Sequence, residues 1–440
     1  MTAPTLVRVM GRWTVTALVI NAIIGSGIFG LPSVIARSLG PASPWAWIIG
    51  AAGNAVIIVC FAEVASRFTQ AGGAYLYARA ALGRLPAILV GWLAYLTRVS
   101  AVAAGANLFT VNLAEFFPGV GRETVRIAVL TVVLGVFAAV NYRGARGGAR
   151  LSNVFTVGKL VPLAVFVIAG IAFVALHSPA VAPMRLPPAA AGRDWLQALL
   201  LVGFAYGGYD GAMLAMGEAK EPRRDAPFAL VTAIVFLTAL YTGIQVLVNA
   251  ALADPGATDR PLAAAARVFL GPPGAALLAG GALLSVVGFL SANFLNAPRL
   301  TFALSEHHDA PAAFRRIHGR FRTPHVSIVT FAALVWALAV YGNFQWNATL
   351  SAVTRLFIYG STCLALIVLR RTQPGGAWLA IPGGPALAAV GIGFCALLAA
   401  RMGRAELLVI LGVAGLGLVH WLIVRRSRSS FSSAQPPARP

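Results

Sequence analysis

Two glycine clusters and a few ionisable residues stand out within otherwise apolar stretches. The first cluster is Ile24-Gly25-Ser26-Gly27-Ile28-Phe29-Gly30, and the second is Phe204-Ala205-Tyr206-Gly207-Gly208-Tyr209-Asp210-Gly211. Small residues can serve close helix packing. Clusters midway along two spans, five spans apart, point instead to a pair of interrupted helices. Backbone unwound at Gly25 to Gly27 presents free amide N–H groups at the positive start of a half-helix, which suits a carboxylate. The opposed half-helix ends offer carbonyls near Ile23, Phe204 and Gly207, which suit an ammonium group, with Ala205 and Gly208 beside them. Poles of both signs a few ångströms apart complement a zwitterion, and on chemistry alone an α-amino acid.

An ionisable residue inside a membrane span is a functional candidate because burying its charge is costly. Lys159 falls about two turns into a span, in Gly158-Lys159-Leu160-Val161-Pro162. It either snorkels to the surface or serves as a proton site, since desolvation disfavours the charged form. Arg98 lies twelve residues after Pro86, about 18 Å along its span, too deep to snorkel easily. Arg355 sits nearer a surface, and Asp210 is the one carboxylate deep in the spans. An arginine effectively cannot lose its proton, so these cations need partners. One candidate partner for Arg98 is an electron-rich ligand side chain. The rival is pairing with Asp210 or with backbone carbonyls. The charge count favours neutral or acidic ligands over cationic ones.

The elements that must hold these residues follow from composition. Of 440 residues, 59% are hydrophobic and 11% charged, against roughly a quarter charged in soluble domains. A soluble globular fold and disorder are both excluded. The +21 formal charge comes from 34 Lys plus Arg against 13 Asp plus Glu, without a basic stripe for nucleic acid. Apolar runs predict twelve spanning helices near 14–36, 44–66, 86–114, 124–142, 153–175, 195–216, 227–251, 274–304, 325–342, 347–369, 384–401 and 405–424. With both termini cytoplasmic, the cytoplasmic segments carry 21 Lys plus Arg and the opposite side 9. The Ser-, Pro- and Arg-rich segment 425–440 reads as a disordered cytoplasmic tail.

Asn21 to Pro32, including the first glycine cluster, resembles the first-helix signature of the amino acid–polyamine–organocation transporter superfamily. Phe61-Ala62-Glu63 with Gly72-Gly73-Ala74-Tyr75, Asn141-Tyr142-Arg143-Gly144, Phe204 to Asp210, Glu218 to Pro227 and Thr323-Pro324 extend the similarity over residues 10 to 370. The resemblance implies an all-α polytopic membrane protein with about twelve transmembrane helices. These would form a five-plus-five inverted repeat (LeuT-like) with two extra C-terminal helices. The N-terminal segment 1–13 would be cytoplasmic, 14–175 and 195–369 the two repeats, and 384–424 the added pair. It further implies that the substrate carboxylate meets the amides of Gly25, Ser26 and Gly27. The amine would meet carbonyls of Ile23, Phe204 and Gly207, and Phe204 would cap the occluded substrate. Lys159 would occupy the place where sodium-coupled relatives hold a cation, and Arg98 would fall near the side-chain subsite. Family members often have Glu where this chain has Asp210, one methylene shorter, which leaves a gating role open.

The implied activity is secondary active transport of an α-amino acid across the cytoplasmic (inner) membrane, by proton coupling or by exchange. An amino acid/polyamine antiporter of the same fold is the alternative. No filter-like repeat suggests a channel, and no nucleophile–base set, paired carboxylates or His motif suggests an enzyme. No cofactor or metal is expected, since His307, His308, His318 and His325 lack ordered ligand spacing. Glu63 reads as a helix-end ion pair with Arg67, and Glu115 and Glu406 as surface charges. Trp13, Trp45, Trp47, Trp195, Trp346 and Trp421 read as an interfacial belt.

Overall fold

The computed structural model describes residues 10–68, 73–144, 148–177, 192–212 and 219–432. The apolar runs fold as α-helices because a backbone in lipid must satisfy its own hydrogen bonds. In chain order these are α1 (Arg12–Ile23), α2 (Gly27–Leu39), α3 (Ser43–Ala65), α4 (Gly73–Leu82), α5 (Arg84–Leu113), α6 (Glu123–Arg143), α7 (Gly148–His177) and α8 (Gly192–Tyr206). They continue with α9 (Tyr209–Ala212), α10 (Pro222–Ala251), α11 (Pro261–Glu306), α12 (His325–Tyr341), α13 (Phe344–Thr372), α14 (Gly384–Ala399) and α15 (Arg404–Ser432). Every span expected from the sequence overlaps one of these helices or a broken pair of them. Among the described residues, eight helical stretches are long and apolar enough to cross a membrane, and α1, α12 and α14 are shorter apolar helices. The fold is an all-α polytopic membrane fold.

Burial separates the centre from the rim. The most apolar window of α5 is 78% buried, whereas that of α6 is 11% buried and that of α15 17%. Val132, Val136 and Val140 on α6 and Leu408 and Leu411 on α15 face outward, as lipid-facing residues should. At the centre α13 packs on α5, α14 and α4, α11 on α7 and α5, and α10 on α3 and α1. In α11 the helix kinks at Gly271, whose φ of 71° lies in the left-handed region, just before Pro272 and Pro273.

Several sequence expectations need correction. The Gly73–Tyr75 segment opens α4, a helix built largely of Ala, Leu and Tyr that the twelve expected spans do not include. Trp47 is no interfacial anchor. It is fully buried and donates its indole N–H to Gln245 Oε1 at 2.9 Å, a contact between α3 and α10 that sequence spacing does not reveal. Glu406 is buried rather than on the surface, folded against Gly403 at the start of α15. Helix α15 runs on to Ser432, into the segment read as a disordered tail. Residues 1–9 and 433–440, Gly72 and Glu218 lie outside the described residues.

Candidate substrate site

The helix that starts at Arg12 stops at Ile23. Its last amide bond runs from Ile24 N–H to Ile20 C=O at 2.9 Å, and Ile24 then turns extended (φ −69°, ψ 90°). Helix resumes at Gly27 with Ser26 as N-cap, yet the Ser26 side chain caps nothing, and its Oγ is buried without a partner. The opening amides of α2 have no intrahelical acceptor, so the N-terminus stays open to an anion. The second interruption falls at Gly207 and Gly208, between α8 and α9. Gly207 N–H donates to Phe204 C=O at 3.2 Å, and Gly208 has φ 112°.

The two breaks pack against each other, and the glycines allow it. A Cβ on Gly208 would lie 2.7 Å from Ala22 O, and one on Gly27 would lie 2.9 Å from Ala205 Cα. Both distances are shorter than carbon tolerates, so the clusters are needed for close approach as well as for unwinding. Ile23, Ser26, Gly27, Phe204, Ala205 and Gly207 are all buried, while Gly25 and Gly208 keep partial exposure. Phe204 sets its ring edge-on to Phe344, centroids 6.4 Å apart.

Lys159 reaches this junction from α7. Its Nζ donates to the carbonyls of Asn21 and Ile24, each at 2.6 Å, and the side chain is buried. The snorkelling alternative is therefore set aside, because the ammonium points into the break and not to the surface. Arg98 and Arg355 are brought together by the α5–α13 seam. Thr97 Oγ1 donates to Thr354 Oγ1 at 2.9 Å, and Ser351 Oγ donates to Thr97 C=O at 3.1 Å. Arg98 keeps some accessible surface although it lies far from either helix end. It is within electrostatic reach of Asp210 and Arg355. Among the described residues, no ion pair joins either arginine to Asp210, whose Oδ1 is buried without a partner.

This arrangement coincides with a match along the chain. Residues 10–410 fit the family described as amino acid permease. The chain belongs to that family. The permease is 26% identical to the branched-chain amino acid permease of Bacillus subtilis, over 97% of this chain and 94% of that one. It is also 26% identical to the methylthioribose transporter of the same organism, over 89% of this chain and 87% of the relative. With the serine/threonine exchanger of Bacillus subtilis it shares 25% identity, over 81% and 82% of the two chains. It is a transporter and not an enzyme.

Some residues packed around the two breaks carry no sequence signal. Phe289 lies over Gly25 and Gly105, and Phe344 over Gly30, at positions marked from sequence only by the small residue they cover. Tyr209 and Tyr359 stack with centroids 5.2 Å apart, and Phe61 packs edge-on to both at 5.5 Å. The expected pairing of Glu63 with Arg67 is present but has a stronger partner beside it, and the surface reading of Glu115 is corrected. The principal partner of Glu63 is Arg370 of α13, which donates to both carboxylate oxygens at 2.6 Å, with Ile381 N–H adding a third bond at 3.0 Å. Arg67 stands farther off at 3.6 Å. Glu115 is no free surface charge, since it holds Arg260 at 2.6 Å and also Arg267, tying the end of α5 to α11. Among the described residues, no group of three His, Cys, Asp or Glu is placed to hold a metal ion.

Proposed function

We propose that the permease is a secondary active transporter that moves an α-amino acid across the cytoplasmic membrane by alternating access, with Lys159 as its proton-coupling group. In this reading residues 14–175 and 195–369 are two inverted repeats, 384–424 an added helix pair, and both termini are cytoplasmic. The substrate carboxylate meets the amides of Gly25, Ser26 and Gly27, and its amine meets carbonyls of Ile23, Phe204 and Gly207. Ala205 and Gly208 line the site, and Phe204 closes over it. The observation that carries the reading is the seating of Lys159 Nζ on two carbonyls at the first-helix break. An ammonium there fills a cation position. Once deprotonated it would keep two N–H donors but lose its charge, weakening its hold on both carbonyls and freeing the break to change shape. Neutral or acidic substrates are favoured over cationic ones because Arg98 and Arg355 already bring positive charge to the cavity. The relatives named for branched-chain amino acids and for serine and threonine support an amino acid as the cargo.

Proteoliposomes holding the purified permease test this reading. Labelled amino acid should accumulate when an inward proton gradient is imposed, should saturate, and should show counterflow against unlabelled amino acid inside. Uptake that needs sodium, or that ignores the proton gradient and requires a counter-substrate, would replace proton coupling by another mode. Counterflow of a polyamine against an amino acid would favour the antiporter.

A further inference from the structure

Arg355 is a buried cation for which the transport reading assigns no partner. It is 8% exposed, and its guanidinium packs on the second break so closely that a Cβ on Gly207 would collide with it. Its Nε is buried without a hydrogen-bond partner. Beside it stand Asp210 Oδ1, also buried without a hydrogen-bond partner, and the buried hydroxyls of Tyr209 and Tyr359, which interact with each other. Tyr359 lies one turn along α13 from Arg355, and both tyrosines feel the charges of Arg355 and Asp210. Buried polar groups are rarely left unpaired in folded proteins, so such a cluster calls for an occupant. A guanidinium fork matches a carboxylate in geometry as well as charge.

We propose that Arg355 is the receptor for a second carboxylate, carried on the substrate side chain, so that the permease's preferred cargo is a dicarboxylic amino acid. The inference rests on the amino-acid transport reading above and names its substrate class. Geometry permits it. Gly27, at the amide pole, packs on Ala205, and Gly207 is two residues further, at most about 7 Å of chain. A molecule with two carboxylates a few carbons apart spans that interval. Charge favours it too. Apart from Lys159, whose ammonium is held by the carbonyls of the first break, Arg98 and Arg355 against Asp210 leave one positive charge uncompensated around the second break, and an arginine does not escape by losing its proton. A dicarboxylic amino acid, with one net negative charge, cancels the excess. A neutral amino acid leaves it, and a cationic one doubles it. Arg98, partly accessible on the neighbouring helix, adds a field of the same sign.

Competition in the same proteoliposomes decides the matter. Glutamate and aspartate should displace labelled substrate at concentrations at least about tenfold below alanine or leucine, and arginine and lysine should not compete. Arg355→Gln should weaken glutamate by about tenfold or more, as expected for loss of a charge-assisted hydrogen bond, and leave alanine within about twofold. Arg355→Lys, which keeps the charge and loses the fork, should fall between. It also covers the case in which the Gln variant does not fold. Glutamate competing no better than alanine overturns the proposal while leaving amino-acid transport intact. So does a variant that weakens alanine and glutamate equally, since Arg355 would then only hold the helices. Alanine uptake that needs chloride, with glutamate inert, would make the guanidinium a site for an inorganic anion and overturns it as well. If no amino acid shows counterflow, the transport reading itself fails, and this inference with it.

Discussion

Lys159 and Ile24, 135 residues apart in the chain, are joined by a 2.6 Å hydrogen bond from the lysine Nζ to the carbonyl at which the first helix breaks. A second bond of the same length reaches Asn21. The carbonyls freed by the unwinding are thereby satisfied by a side chain whose charge can change. In the proton-coupled reading proposed above, protonation and the shape of the break would be linked, which is what proton-driven alternating access requires.

Lys159→Ala should remove this link. Substrate binding should persist, because the amide pole at Gly25 to Gly27 is untouched, while uptake driven by a proton gradient should fall by about tenfold or more, the effect of losing charge-assisted hydrogen bonds. Uptake measured from pH 5.5 to 8.5 should lose its dependence on the gradient. A mutant that keeps the wild-type pH profile would reduce Lys159 to a packing residue.

Substitution at the glycines separates folding from transport. Gly208 combines φ 112° with the close approach of Ala22 O, so Gly208→Ala should cost roughly 1–3 kcal/mol and lower the melting temperature in detergent. Gly27→Leu or Ser26→Leu should abolish uptake while the protein still inserts, because the new side chain fills the amide pole and abuts Ala205. Normal uptake by either variant would show that the open end of α2 is not the carboxylate site.

The breaks were legible in sequence because glycine leaves a positional trace wherever backbones unwind or nearly touch. Lys159 was legible for a different reason: a charge in an apolar run has few uses. Phe289 and Phe344 were not, since one phenylalanine in an apolar helix resembles any other and only the fold shows which glycine it covers. Trp47 was misread because proximity to a span end suggests an interface, while its true partner, Gln245, lies 198 residues away. Glu63 shows the same limit. Arg67 is its near neighbour along the helix, but Arg370 approaches with the better geometry from 307 residues off.

Glu63 and Arg370 form a two-pronged ion pair that fastens α3 to the end of α13, with the carboxylate fully buried. Removing one partner strands a charge that the fold has desolvated. Glu63→Ala should destabilise by about 3–5 kcal/mol. The Glu63→Ala, Arg370→Ala pair should be less damaging than the sum of the single changes, with a coupling of roughly 0.5–3 kcal/mol. Apparent melting temperatures of the four proteins give the cycle, and additivity would mean that the two residues act independently.

A second buried carboxylate anchors α4. Asp309 is wholly buried and accepts from Tyr75 Oη at 2.5 Å, Arg79 Nη1 at 3.1 Å and Arg84 Nε at 2.8 Å. It thus ties α4 and the start of α5 to the segment following α11. Burial first, and then the bond to Asp309, push the Tyr75 hydroxyl up from 10 to about 12. A group whose folded value is raised contributes stability that is complete below its ordinary value and is lost as pH climbs through the raised one. The Tyr75 contribution should therefore be constant from pH 6 to 9 and fade only above about pH 10. Asp309→Asn keeps the shape but removes the charge that two arginines share, and should cost roughly 1–3 kcal/mol. The stability gap between wild type and Tyr75→Phe, followed by thermal unfolding in detergent at several pH values, should stay flat through neutrality. A gap that closes near pH 7 would mean that another group titrates in this cluster and that the tyrosine–aspartate bond is not what holds α4 in place.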